Sequence, residues 1–313
     1  MSIIYIVWHH TNYNISNERI NNLRNWGAIG VDFFLFYSGV GLYFSFSKSE
    51  NIKAFYKRRL IRIIPAYLTV AGICYFYTDI ICSHSISTFI QNLFFIFYFR
   101  WGKTEDWFIV AILIFYVIYP LIYKVLKRLD KIGIVLLLIS WLILVVLISV
   151  KFDLQYARFF PRVPVFIIGC WFGKYVKLEK KLHIGWIPFF SVFLFSCRFL
   201  TLVTNRFGSF TFLERLSYCP IVITTVLLVA CIPPNFLKNT TINKVFKKCS
   251  GYTLEIYLVH ERVLHGLVDL TGNNGYIINV VSIIIAAILA VIVSKWCSFL
   301  CNIIEHKKKI KKS

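Results

Sequence analysis

The sequence lacks any hydrophilic stretch long enough to fold as a separate domain, and it has few acidic residues. Its 313 residues include 14 Asp and Glu against 35 Lys and Arg, and 58% of them are hydrophobic. A soluble domain is typically about 45–50% apolar, so this excess is typical of a chain whose solvent is lipid. The gaps between apolar runs are too short to enclose a core of their own. The sequence therefore predicts an integral membrane protein.

Other familiar signals are also missing. The nine cysteines lie mostly within apolar runs and have no paired short spacing, so they support neither a zinc site nor a disulfide framework. No internal repeat and no cleavable signal peptide is evident. Only eight residues precede His9, and a helix of that length rises roughly 12 Å. We therefore expect that the chain begins inside its first helix or that the true start lies upstream.

Basic residues account for the net charge of +21, and they lie at the ends of apolar segments. This placement is typical of signals that orient helices in a membrane, and it argues against nucleic-acid binding. The apolar segments are predicted at 1–13, 28–46, 60–80, 86–99, 107–126, 132–150, 159–175, 184–203, 216–233, 250–268 and 276–301.

Segment 86–99 decides the predicted topology. If it does not cross the membrane, a majority of the 35 basic residues fall on one side, and if it does cross, this bias disappears. We therefore predict an all-α, polytopic membrane helical bundle with about ten transmembrane helices, in which 86–99 is a re-entrant or interfacial segment. One transmembrane domain covers 1–305, and a basic cytoplasmic tail covers 306–313. With the basic clusters on the cytoplasmic side, this topology places both termini in the cytoplasm. The Ile-, Asn- and Lys-rich composition indicates an AT-rich bacterial genome.

Two adjacent histidines, His9 and His10, follow the first apolar run and precede Thr11 and Asn12. Neighbouring residues on a helix point about 100° apart, so only one of the two rings can face a given pocket. Histidine is the commonest general base for a hydroxyl near neutral pH. The pair therefore contains a candidate catalytic base. The alternative is a pair of interfacial histidines at a helix end.

Asp32 follows Gly30 near the outer end of the helix predicted over 28–46. A carboxylate there could orient a histidine from the first helix and stabilise its charged form. The alternative is a carboxylate that interacts favourably with the helix dipole in the first turn. The glycines of this stretch predict close approach of neighbouring helices, and they are Gly27, Gly30, Gly39 and Gly41.

The stretch FYKRRLIRIIPAY, residues 55–67, carries arginines at the cytoplasmic boundary. Arg58 and Arg62 are four residues apart and share one helical face, and Arg59 lies beside them. Arginine suits bidentate binding of phosphate, so a nucleotide-bearing thioester could dock here. The alternative is a juxtamembrane anchor.

The stretch SGYTLEIYLVHERVLH, residues 250–265, carries unusually many polar groups for a membrane segment. Thr253, Tyr257 and His260 share a face, and Glu255 and Arg262 lie on a neighbouring one. Polar side chains inside a membrane protein usually line a polar cavity. The alternative places His260 and Arg262 at the outer interface.

Taken in order, these stretches resemble the integral-membrane acyltransferase-three family, over residues 3–262. The first helix, ending in a histidine, is similar to that family's first helix. The later matches are GVDFFLFYSG, RRLIRIIPAY, WFIVAILIFYVIYP (107–120), RFFPRVPVFIIGCWFG (158–173) and SGYTLEIYLVH. Each match is short, and their shared order along the chain makes the resemblance specific.

The resemblance implies transfer of an acyl group, usually acetyl, from cytoplasmic acyl-CoA to a hydroxyl of an envelope glycan or lipid-linked sugar. No metal is expected, and the implied partners are the lipid bilayer, the glycan acceptor and the machinery of glycan synthesis. Two other classes of protein remain as alternatives. A glycan or lipid-linked sugar transporter or flippase would also need many helices and a polar cavity, and the short first helix would suit an inactive relative that serves as an assembly partner.

The resemblance also implies roles for individual residues. The catalytic base aligns with His9 or His10, and the Thr-Asn neighbours favour His10. Arg58 and Arg62, with Arg59 beside them, are expected to bind the donor. It also places Asp32 near the site. Our own hypothesis is that Asp32 or His260 orients or tunes the base.

The sequence departs from the family pattern at two places. The family's arginine upstream of the catalytic histidine is absent. Ile112 and Leu113 stand where many members carry adjacent glutamates. The second departure indicates a subgroup rather than a different class.

Overall fold

The computed structural model describes residues 2–11, 17–102, 104–151, 159–177, 191, 218–230 and 250–310. Nearly all of these residues are helical, and the described part of the chain contains no strand. The predicted all-α class is therefore confirmed for this part. Segment 184–203, predicted as a crossing, lies outside the described residues apart from residue 191.

The helices are numbered in chain order. The first seven are α1 Ser2–His10, α2 Glu18–Asn25, α3 Ile29–Phe46, α4 Ile52–Tyr75, α5 Ile86–Leu93, α6 Ile96–Trp101 and α7 Trp107–Arg128. The later ones are α8 Lys131–Lys151, α9 Val163–Lys177, α10 Tyr218–Ala230, α11 Thr253–Thr271 and α12 Tyr276–Ile310. A π-helical turn, Phe76–Cys82, extends α4, and short 3-10 turns precede α3 and α9.

Four helical stretches among the described residues are long and apolar enough to cross a membrane. They are Glu18–Phe46, Ile52–Cys82, Trp107–Arg128 and Tyr276–Ile303. The last of these is mostly exposed, and its outward face carries Ile284, Ile288 and Ile292. Soluble monomers rarely expose an apolar face of this length to water, so this face is typical of a helix in contact with lipid. The chain is an integral membrane protein, and the total of ten crossings stays a prediction.

Segment 86–99 folds as two short helices rather than one long one. Ser85 caps α5 by accepting a hydrogen bond from the Thr88 amide, and the chain then breaks at Phe95, whose φ is 60°. The eight residues of α5 rise about 12 Å, well short of the ~30 Å hydrocarbon core. This geometry fits the predicted re-entrant or interfacial segment.

The first helix is held against α3 and α11. Gly30 makes the first of these contacts close, since a Cβ at this position would lie 2.5 Å from the Ser2 carbonyl oxygen. Ile3 and Ile6 of α1 are buried in the same core. The packing fixes the end of α1, and therefore His9 and His10, beside the middle of α11.

The contact between α3 and α9 is the most extensive one between helices in the described part of the chain. At Gly39 a Cβ would lie 2.6 Å from the Phe166 carbonyl oxygen and 2.8 Å from the Cys170 amide nitrogen. Gly41, two residues further along α3, has no neighbour within 4 Å of the same position among the described residues. The predicted close approach of helices is therefore confirmed at Gly39, and at Gly41 it is wrong for the part of the chain that the structure describes.

Gly39→Ala and Gly41→Ala should affect stability with different signs. At Gly39 the added methyl collides with the backbone of α9, and overpacking of this kind costs about 1–3 kcal/mol. At Gly41 the methyl meets no described neighbour, and alanine favours a helix over glycine by about 1 kcal/mol. Thermal unfolding of the detergent-solubilised protein should show a lower Tm for the first variant only. Equal melting of the two variants would contradict the close contact between α3 and α9.

Candidate active site

His10, the last residue of α1, faces α11. Its Nδ1 lies 3.3 Å from Oε1 of Glu261, and each side chain is about one third exposed. The following residue, Thr11, donates from Oγ1 to the Trp8 carbonyl oxygen at 2.6 Å and closes the end of the helix. An imidazole beside a carboxylate is the arrangement that stabilises a protonated histidine.

His260 lies on the other side of His10, with ring centroids 5.1 Å apart. His260 is 4% exposed. Its Nδ1 faces the carbonyl oxygens of Ile256 and Tyr257 at 3.1 and 2.8 Å. Its Nε2 has no hydrogen-bond partner within the described residues. The structure thus brings His10, His260 and Glu261 together, and one ligand atom from each lies within 4.8 Å of the others.

His9 points away from this group. Its Nδ1 lies 3.1 Å from the Arg24 carbonyl oxygen, and its ring meets that of His10 edge-on at 5.2 Å. The two rings therefore diverge, as expected for neighbours on a helix. Of the two candidate bases, His10 is the one that contacts α11.

A cleft of about 1210 Å³ opens beside His10 and Glu261. Aromatic side chains form much of its wall, and they include Tyr75, Tyr77, Phe97, Trp101 and Trp107. The described lining also includes polar groups from the π-helical turn after α4, from α5, from the loop before α7 and from α11. A cavity of this size, with aromatic walls and a few polar groups, is typical of a site for an organic ligand.

Arg262 is held at the edge of the cleft by Asp106, the residue that precedes α7. Nη2 of Arg262 donates to Oδ2 of Asp106 at 2.7 Å, and the Tyr75 hydroxyl donates to the same oxygen at 2.7 Å. Asp106 is 1% exposed. This contact links α4, α7 and α11 around the cleft and compensates the charge of Arg262.

Asp32 forms an ion pair with Arg162, the residue that precedes α9. Nε of Arg162 lies 3.3 Å from Oδ2 of Asp32, and both side chains are 1% exposed. The Arg162 guanidinium also lies 5.0 Å from the ring centroid of Trp107, which lines the cleft. The structure therefore places Asp32 against Arg162 beneath the cleft wall, and the role in orienting the base stays a prediction.

The three arginines in the first half of α4 differ in their surroundings. Arg62 makes a two-pronged contact with the fully buried Glu255, and its Nη2 also donates to the Gly251 carbonyl oxygen at 2.9 Å. Arg59 lies over the rings of Phe55 and Tyr116. Arg58 is exposed. None of the three is part of the described lining of the cleft.

Two residues of this region were not identified as candidates from the sequence. Glu261 directly follows His260 in a stretch that was singled out for its polarity, and a carboxylate within an apolar helix is a signal in itself. Asp106 lies just before a predicted apolar segment and resembles an ordinary loop residue. Its partner Arg262 is 156 positions away, and no local pattern indicates that contact.

Asp32→Asn should destabilise the protein much more than the matched change Glu50→Gln. The first removes the charge that faces buried Arg162, and breaking a buried pair costs about 3–5 kcal/mol. The second weakens the half-exposed pair of Glu50 with Lys127, and exposed pairs contribute about 0–1 kcal/mol. Thermal unfolding in detergent measures both. Unchanged melting of Asp32→Asn with lost activity would instead assign Asp32 to the chemistry.

Comparison with known proteins places this architecture in a family. No curated protein and no solved structure matches the chain. The model of the acyltransferase domain called Acyl_transf_3 matches residues 1–299, which include every residue of the site described above. The match covers nearly the whole chain and implies acyltransferase activity, so the chain belongs to the acyltransferase 3 family of membrane proteins.

Proposed function

We propose that this protein transfers an acyl group, expected to be acetyl, from cytoplasmic acyl-CoA to a hydroxyl of a cell-envelope polysaccharide or lipid-linked sugar. The observation that carries the proposal is the contact of His10 with Glu261 at the wall of the large cleft. It supplies a base, a carboxylate to orient it and space for an acceptor. The family membership favours this activity over a transporter or flippase.

The proposed orientation uses the second half of α4. Arg62 lies close to the middle of this helix, and Tyr75, at its end, lines the cleft. Thirteen residues of helix separate them, or about 20 Å. We propose that the donor approaches the arginine end from the cytoplasm and that the acceptor enters the cleft from outside, in a plasma membrane with both chain termini in the cytoplasm.

The arginines that would bind the donor's phosphates differ in exposure and in their existing contacts. Arg58 is exposed and free to turn toward a ligand, whereas Arg62 is engaged by Glu255. Guanidinium groups bind phosphate through paired hydrogen bonds, so a phosphate would compete with the Glu255 carboxylate for Arg62. We propose that Arg58 makes the first contact and that Arg59 and Arg62 contribute to a site at the mouth of the donor path.

The proposed reaction begins at His10. With Nδ1 directed at Glu261, its Nε2 takes the proton from the acceptor hydroxyl, and the oxygen attacks the thioester carbonyl carbon. A C–O bond forms, the C–S bond breaks, and the proton passes from His10 to the departing CoA thiolate. Glu261 stabilises the imidazolium formed between these steps, and buried His260 packs against the ring. Transfer through an acyl-histidine intermediate would use the same residues.

His10→Ala should lower the acyl-transfer rate by about 10²–10⁴-fold, the usual contribution of a general base. His9→Ala should retain a much larger share of activity, since its ring faces the Arg24 carbonyl. Mass spectrometry of cell-surface glycans and acetyl-CoA consumption by the purified protein measure the effect.

A matched control is His84→Asn. His84 is exposed with a φ of 51°, which asparagine tolerates. The His84→Asn variant should therefore transfer the acyl group at the wild-type rate. Full activity of His10→Ala would eliminate the proposed mechanism.

A further inference from the structure

We propose that His10, His260 and Glu261 form a binding site for a divalent transition-metal ion of the Zn²⁺ type, and that an ion bound there blocks acyl transfer. The binding site follows from the geometry of the three residues alone. The blocking effect rests on the proposed function, because it requires His10 to act as the base.

The ligand set and its spacing fit such an ion. Two histidine nitrogens and one carboxylate oxygen are a common three-ligand set for zinc, with bond lengths of about 2.0–2.2 Å. Two ligands of a tetrahedral ion at that distance are about 3.3 Å apart, and His10 Nδ1 lies 3.3 Å from Glu261 Oε1. The three ligand atoms lie within 4.8 Å of one another, so a small rotation of the His260 or His10 ring completes the set.

His260 is oriented as a ligand would be. Its Nδ1 faces the backbone carbonyl oxygens of Ile256 and Tyr257. Metal-binding histidines usually donate their second ring nitrogen to a carbonyl or carboxylate, which fixes the ring and leaves the other nitrogen for the metal. The Nε2 of His260 is buried and has no partner within the described residues. A buried nitrogen of this kind is costly without a ligand.

Space and access are both present. A small cavity of about 10 Å³ lies between His10 and His260 and is also lined by Thr11 and Ser282. That volume is close to the smallest that holds a water molecule. His10 and Glu261 also line the large open cleft. An ion can therefore reach the site from the cleft and keep its fourth position for water.

The local charge favours a cation. Glu261 contributes one negative charge, and the two imidazoles bind a metal in their neutral form. The nearest guanidinium on the same helix, that of Arg262, is already paired with Asp106 at 2.7 Å. Exposed His265 and Asp269 face the same cleft. Repulsion of a divalent ion by Arg262 is therefore offset within the protein.

A bound ion would prevent the proposed catalysis because it occupies the groups that the reaction needs. Coordination takes the carboxylate of Glu261 away from His10 and ties the His10 ring to the metal. The imidazole could then no longer accept the hydroxyl proton. Chelation should restore transfer.

Metal binding is tested first, by equilibrium dialysis of the full-length, chelator-treated protein in detergent against Zn²⁺, followed by elemental analysis. We expect one site per chain that is lost, or weakened at least about tenfold, in His260→Ala and in Glu261→Gln. His265→Ala, one turn further along α11, is the matched control and should retain the site. Co²⁺ in place of Zn²⁺ should give the absorption spectrum of a tetrahedral site in the wild type. Zinc binding that is equal in all four proteins, or absent from all, would overturn the proposal.

Acyl transfer is measured next, in the same preparations with and without Zn²⁺. We expect the wild-type rate to fall at least about tenfold as the site fills and to recover with a chelator. Zinc that binds without lowering the rate, or that raises it, would overturn the blocking effect. A metal-free protein that is active but binds no zinc would contradict the metal site alone. A protein that binds zinc but is inactive when metal-free would contradict the proposed function alone.

Discussion

The contact between His10 and Glu261 is the interaction around which the site is organised. It joins the end of α1 to the middle of α11, two helices separated by most of the chain, at the edge of the large cleft. Ionisable groups within a membrane cost at least about 2.5–3.5 kcal/mol each, so they are retained where they are paired or have a function. This pair remains partly exposed to the cleft, as the reactive role proposed for it requires.

The other charged groups at comparable positions are paired more tightly. Asp32 with Arg162 ties α3 to the start of α9, Asp106 with Arg262 ties the start of α7 to α11, and Glu255 with Arg62 ties α11 to α4. In each pair the acidic residue is at most 1% exposed. These contacts fix the relative height of the helices, and so they hold His10, His260 and Glu261 at one level beside the cleft.

Sequence patterns predicted the features that depend on local chemistry. Apolar runs located α3, α4, α7 and α12 to within a turn or two at most ends. The distribution of basic residues along the whole chain predicted that 86–99 does not cross the membrane, and its two short helices fit that prediction. The 100° rotation between neighbouring residues predicted that His9 and His10 would face different surroundings. The stretch around His260 stood out because polar groups are rare in membrane helices.

The rest could not be predicted because it depends on pairing between distant positions. Arg62 looked like a free phosphate ligand, but Glu255, 193 positions away, holds it. Asp32 is paired with Arg162, 130 positions away, and no local pattern indicates that contact. Glu261 contacts His10 only because α1 packs on α11. A single sequence does not show which of several charged residues at similar depths on different helices form a pair. The packing of the helices determines the partners.

The most direct test of the central claim is a double-mutant cycle on His10 and Glu261. The rate of acyl transfer from acetyl-CoA would be measured for His10→Ala, Glu261→Gln and the double variant. If Glu261 acts through His10, the double variant should be no slower than His10→Ala alone, because groups that act as one unit are not additive. Losses that multiply would show that the two residues act independently and would contradict the role of Glu261 as the carboxylate that orients the base.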